Sequence, residues 1–117
     1  MTQRVETEEL LPLSPVVYQT LVALAEGARH GYAIAQDVEA VTGGSIRMGP
    51  GTLYGSLQRM QKAGLIEESG ASSEKGGHSE RRRYYALTKL GRAALSAETS
   101  RLEAAVNVAK ARLASGA

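Results

Sequence analysis

The 117-residue chain contains no cysteine, no tryptophan and no phenylalanine. Without cysteine it has neither disulfides nor a thiolate metal site, which excludes a secreted, disulfide-stapled scaffold. Histidine is scarce as well: with only His30 and His78, a zinc site lacks its usual ligands. Asp37 is the single aspartate and neither histidine has a nucleophile beside it in sequence, so the chain reads as a non-enzyme that needs no cofactor. The glycines from Gly49 to Gly55 follow no buried strand and carry no Gly-Lys-Ser/Thr, which argues against a nucleotide loop. No apolar run approaches the roughly 18 residues of a membrane span. The acidic start (Glu6, Glu8, Glu9) lacks the basic region of a signal peptide. The expected compartment is the cytoplasm, with no membrane partner. Lacking Phe and Trp, the core must come from Leu, Val, Ile, Ala, Met and five tyrosines. That is marginal for a monomer this short and points to an oligomer.

The charge that is present is unevenly placed. Within a formal net of +2, residues 1–44 carry −4, residues 45–64 carry +3 with no acid, Glu67 and Glu68 follow, and residues 69–87 carry +2. Two basic segments around a short acidic one suit a polyanion, although a solvated surface is the ordinary explanation of such a pattern.

Periodicity divides the chain into an N-terminal arm (1–13), a domain (14–87) and a last helix (88–117). The arm shows no sustained period and is expected to be flexible or to dock on a partner. Ser14-Pro15 reads as a cap followed by proline in the first turn, opening a helix that Gly27 stops near Glu26. His30-Gly31 opens a second helix that ends at Gly43-Gly44, with His30 a capping or turn residue. The third spans Met48–Gly64, with Leu53, Leu57 and Met60 on one stripe and Thr52, Ser56 and Arg59 on another. An ordinary solvated face would mix Glu with Lys; this one is small, polar and ends in a cation, as close approach to phosphates and base edges requires. The period then changes from 3.6 to 2. Leu65–Glu68 and Arg82–Leu87 read as a hairpin around the polar stretch 69–81, with Tyr85 and Leu87 sharing the face that closes on the core. From Thr88 the chain is helical again. Leu95, Leu102, Val106, Ala109 and Leu113, with Thr99 in the missing step, trace a heptad-like seam expected to meet a partner subunit; folding back on its own domain is the alternative.

The order H-H-H-E-E-H describes a mainly α winged helix-turn-helix with a small β-hairpin and a C-terminal dimerisation helix. Gly49-Pro50-Gly51-Thr52-Leu53-Tyr54, continuing to Leu57, Arg59, Met60 and Gly64-Leu65-Ile66, resembles the recognition-helix signature of PadR-type transcriptional regulators. His30-Gly31-Tyr32 is similar to the family's second-helix opening, and Arg82-Arg83-Tyr84-Tyr85-Ala86-Leu87-Thr88 with Gly91 to its second wing strand. The resemblance covers about residues 13–95. It implies a cytoplasmic homodimeric repressor on double-stranded DNA, with the last helix at the dimer interface and, in many members, release by a small molecule. Gly49 stands where the family usually has Ser, and Gly55 where bulkier residues are common.

On this reading Thr52, Ser56 and Arg59 face the groove, with Arg59 on a guanine or on phosphate. Tyr54 packs its ring and reaches a phosphate, or belongs to the core alone. Arg47, Lys62, Lys75, Arg81, Arg82 and Arg83 are backbone-binding candidates, and strand alternation sets Arg82 apart from Arg81 and Arg83. The last helix has no Trp, so an aromatic effector would use Tyr18, Tyr32 or an aliphatic dimer cleft. The operator is expected to be pseudo-palindromic. The competing reading is a winged-helix protein-interaction module, which would be expected to carry acids on the third helix or a neutral wing; this chain has neither.

Overall fold

A computed structural model describes Thr7 and residues 9–70 and 83–116. Helix α1 (Pro15–Ala23) starts where Ser14 Oγ accepts the Val17 N–H at 3.3 Å, with proline in the first turn. It ends earlier than the sequence suggests. The N–H groups of Leu24, Ala25 and Gly27 bond three residues back, to Leu21, Val22 and Leu24, and so tighten the turn before Gly27 takes effect.

Strand β1 (Arg29–His30) leads into α2 (Gly31–Val41), where the His30 ring caps by accepting the Ala33 N–H on Nδ1 at 3.2 Å. The α2 exit is a paired-glycine cap: Gly44 N–H returns to Glu39 O (2.8 Å) and Gly43 N–H to Ala40 O (3.3 Å), both glycines holding positive φ. Thr42 Oγ1 then accepts the Ile46 N–H at 3.2 Å. This fixes the turn into α3 (Pro50–Lys62). The α3 exit repeats the device, with Leu65 N–H on Met60 O and Gly64 N–H on Gln61 O, and delivers Leu65 into the core.

Strands β2 (Ile66–Ser69) and β3 (Tyr84–Leu87) pair antiparallel, Ile66 opposite Leu87 and Ser69 opposite Tyr84. The expected two-stranded hairpin is a three-stranded sheet of order β1-β3-β2, because Arg29 and His30 pair with Tyr85 and Tyr84. Tyr85 and Leu87 meet the core as expected, yet Tyr84 is buried too, the His30 ring lying edge-on to it at 5.6 Å.

One apolar core joins these elements: Leu21 and Leu24 of α1, Ile34 and Val38 of α2, Leu53, Leu57 and Met60 of α3, then Leu65, Ile66, Tyr85 and Ala94. Leu10 and Leu13 pack against it, so this part of the arm docks on its own domain. Helix α4 (Lys89–Ser115), 27 residues, is about 40 Å long. Thr88 caps it and ties it down, accepting from Gly91 N–H (3.0 Å) and donating to Gly64 O (2.5 Å). Three further bonds hold its first half: Arg92 to Ala25 O (3.1 Å), Leu13 N–H to Glu98 Oε2 (3.0 Å), and Tyr18 to Thr99 between hydroxyls (2.8 Å). Every residue from 103 to 116 is exposed. Among the described residues no helix is long and apolar enough to cross a membrane.

Candidate nucleic-acid interface

Helix α3 is the centre of the site. Its inner face is Leu53, Leu57 and Met60, and at about 100° per residue the opposite face is Gly51, Gly55, Gln58 and Lys62. Gln58 and Lys62 are exposed, and no acid lies anywhere on the helix. Thr52 and Arg59, both exposed, occupy one flank, and Tyr54, 46% exposed, the other.

Ser56 departs from the expected exposed stripe. It stands one turn from both Leu53 and Met60, at the edge of the apolar face, and is only 5% exposed. Its Oγ accepts from Arg59 Nη2 at 3.2 Å, so it braces the arginine instead of meeting solvent. Gln58, outside that stripe, stands with 51, 55 and 62 on the face turned fully away from the leucines, a spacing legible in the sequence.

Gly51 and Gly55 have no internal justification. A Cβ built at Gly51 meets nothing within 4 Å, and one at Gly55 makes only an ordinary 3.5 Å contact with the Arg59 side chain. Glycine inside a helix costs about 1 kcal/mol relative to alanine. Two such positions on an exposed face suit a surface that lets a partner come close to the backbone.

The Tyr54 flank is more elaborate. Its ring lies over Gly31, where a Cβ would stand 2.9 Å from two ring-end atoms, so the glycine of His30-Gly31-Tyr32 makes room for a side chain of α3. The His30 and Tyr32 rings stack at 6.4 Å, and Tyr32 is 63% exposed. Between α2 and α3 runs a groove of about 810 Å³ lined by Tyr32, Gln36, Glu39, Arg47, Leu53 and Tyr54. Arg47 Nε approaches Glu39 at 3.9 Å there. On the sheet side Arg83 pairs with Glu68 at 3.4 Å. Burial pushes the Tyr85 phenol up, as do the Glu68 carboxylate and the Tyr54 phenol, while Arg83 pulls it down. On the other flank Ser14, Val17, Thr52, Ser56, Arg59 and Met60 line a second groove of about 510 Å³ between α1 and α3.

The structure thus places Thr52, Tyr54, Arg59 and Lys62 on one helix with Arg47 beside it, and Arg83 on the sheet next to Glu68 and Tyr85. Lys75, Arg81 and Arg82 lie outside the described residues. Of the seam residues, Leu95 packs on its own core and Thr99 bonds Tyr18 and Leu95 O. Leu102 is half-buried, while Val106 (48%), Ala109 and Leu113 (77%) are exposed. The two effector candidates separate, Tyr18 facing α4 and Tyr32 the α2–α3 groove.

The model of the PadR-like family of transcriptional regulators matches residues 20–97, from α1 through the first turns of α4. The chain belongs to this family. PadR-like regulators are not enzymes, and the structure accounts for the shared motifs: His30 caps α2, Gly31 accommodates Tyr54, and Thr88 and Gly91 seat α4 on the α3 exit. An uncharacterised 37.1 kDa protein of a Streptomyces fradiae transposon is 44% identical over 78 residues, 67% of this chain. The match spans 20% of that relative's length. Among solved structures, a PadR family transcription regulator from Clostridium difficile superposes with a TM-score of 0.67 at 25% identity, covering 86% of this chain and 99% of the other. Bacillus subtilis PadR, crystallised with operator DNA, shares the fold with a TM-score of 0.58 at 22% identity over 71% of this chain and 45% of its own.

Proposed function

We propose that this PadR-like regulator is a cytoplasmic homodimeric repressor that binds a pseudo-palindromic operator and is released by a small molecule. The carrying observation is the outer face of α3: Gly51, Gly55, Gln58 and Lys62, free of acids, flanked by Thr52 with Arg59 and by Tyr54. A Gln amide can bond an adenine edge at two points, and Arg59 can do the same for guanine, each good pair giving about 1–3 kcal/mol of discrimination. Ser56 holds the Arg59 guanidinium in place for that task. Lys62, Arg47, Tyr54 and Arg83 take phosphates, and the sequence adds Lys75, Arg81 and Arg82 as further backbone-binding candidates. That Bacillus subtilis PadR, a protein of the same fold, is crystallised with operator DNA supports DNA as the partner.

Dimerisation uses the part of α4 that leaves the domain. Val106, Ala109 and Leu113 continue the stripe from Leu102 into solvent, and an apolar stripe on a free helix calls for a second helix. Leu95 and Thr99 mark where the stripe leaves its own domain. Two recognition helices then reach successive major grooves, with half-site centres about 34 Å apart. An effector held between the α4 helices acts by preferring one of two dimer geometries. The Tyr18–Thr99 and Arg92–Ala25 bonds tie α4 to α1 and to the turn that follows it, the route by which α4 would move the reading head. A ligand beside Tyr32 would instead compete with DNA directly.

The test is titration against a duplex selected from a random library and against its scrambled counterpart, at 50 and 200 mM salt. Preference for the selected duplex by about a thousandfold or more, with a steep salt slope, is the expected outcome. Arg59→Ala should weaken the selected duplex more than the scrambled one; equal loss on both would make Arg59 a phosphate contact. Weak, equal binding by the parent chain would move the assignment to a protein-interaction module.

A further inference from the structure

The cations around α3 fall into two groups. Arg59 and Lys62 face no acid among the described residues, whereas Arg47 and Arg83, on the Tyr54 flank, each hold a glutamate: Glu39 at 3.9 Å and Glu68 at 3.4 Å. Both pairs are open to solvent, with side chains 74% and 53% exposed in the first and 71% and 48% in the second. Exposed pairs of this kind contribute little to folding. Neither glutamate is needed to fill space or complete a buried network. Glu39 comes from α2 and lines the groove beside Tyr54, and Glu68 comes from β2 and acts with Arg83 and Tyr54 on the Tyr85 phenol, so two separate elements bring a carboxylate to the Tyr54 side of the site.

We propose that Glu39 and Glu68 are built-in competitors of DNA phosphate, each occupying an arginine of the binding face until the nucleic acid displaces it. The inference rests on the regulator reading above. A carboxylate and a phosphate oxygen offer the guanidinium the same geometry, and only one can hold it fully. Binding then exchanges one anion for another instead of adding a new contact, and the displaced carboxylate stays near the phosphates and repels them. The pairs therefore lower affinity for every sequence alike. They leave discrimination to α3, where Arg59, Lys62 and Gln58 stand unopposed. A regulator attenuated in this way spends less time on non-specific DNA.

The experiment compares Glu39→Gln, Glu68→Gln and the double variant with the parent chain on selected and scrambled duplexes at 50 and 200 mM salt. Glu26→Gln, in the exposed turn after α1 and away from α3, is the control for the same change in net charge. Each single variant should bind both duplexes about 3–10-fold more tightly at the lower salt, with the specificity ratio unchanged. Each freed arginine adds up to about 0.9 to the magnitude of the salt slope, so the gain should shrink by about threefold at the higher salt. Arg47→Ala should abolish the gain of Glu39→Gln, which a general charge effect would not. Gains no larger than that of Glu26→Gln would overturn the proposal, as would a gain confined to the selected duplex, which would mean that the glutamate opposes a base contact and not phosphate. A parent chain that binds neither duplex would overturn the regulator reading itself.

Discussion

Replacing Gly91 with alanine tests how α4 is seated. A methyl at Gly91 would overlap the Leu65 carbonyl oxygen outright and stand 2.9 Å from its carbonyl carbon. These are backbone atoms at the α3 exit, held by the Leu65–Met60 bond, so α4 must retreat. Retreat breaks the bonds from Thr88 N–H to Leu65 O (3.1 Å) and from Thr88 Oγ1 to Gly64 O (2.5 Å). Two such bonds are worth roughly 1 kcal/mol each, and overpacking adds about 1–3 kcal/mol. Alanine returns about 1 kcal/mol of helix propensity. The net is a destabilisation of about 2–4 kcal/mol, or a Tm lower by about 10–25 °C for a domain of this size. The same substitution at Gly55 should have the opposite sign: the site is roomy and helical, so alanine should add up to about 1 kcal/mol. Thermal unfolding followed by circular dichroism, at one fixed protein concentration, measures both. A Gly91→Ala chain as stable as the parent, or a shift of the same sign at both positions, would refute the reasoning.

Three other outcomes follow from the geometry. Gly31→Ala should displace the flexible end of the Tyr54 side chain, reducing DNA affinity several-fold in a titration while leaving Tm within a few degrees. Glu98, 1% exposed, is held below the usual carboxylate range by the Arg101 guanidinium, against the opposing effect of burial and with help from the Leu13 N–H. Its contribution is therefore complete above the unfolded value near pH 4.3 and is lost as pH falls through the lower folded value; acid melts of the parent chain should show this loss, and Glu98→Gln should show less of it. Val106→Glu should convert a dimer into a monomer by light scattering at micromolar concentration without changing the circular dichroism of the domain, and an unchanged mass would remove the α4 stripe from the interface.

Local signals made much of the fold legible. Ser14-Pro15 and Gly49-Pro50 mark helix starts, Gly43-Gly44 and Gly64 mark ends, and the change of period after Gly64 marks the sheet, because each is a matter of neighbouring backbone chemistry. What was hidden depends on distant partners. Strand β1 is two residues long, too short for any period, and exists because β3 offers it an edge. Nothing local to Glu98 marks it for burial; its carboxylate is held by Leu13, distant in sequence, and by Arg101. The docking of Leu10 and Leu13 depends likewise on a core assembled from later elements. In the site, the motif residues mark out α3, with Thr52 and Arg59 on one flank of it. Ser56 sits too near the leucine stripe to be free, and Gln58 opposes it squarely. The pairing of Arg47 and Arg83 with glutamates from other elements has no sequence signature.

The central claim is that two copies of α3 read one face of a duplex, and a hydroxyl-radical footprint on a selected operator tests it most directly. Two protected patches per strand are expected, their centres about 10 base pairs apart and related by the operator's symmetry. A single patch, or uniform protection without phase, would contradict it.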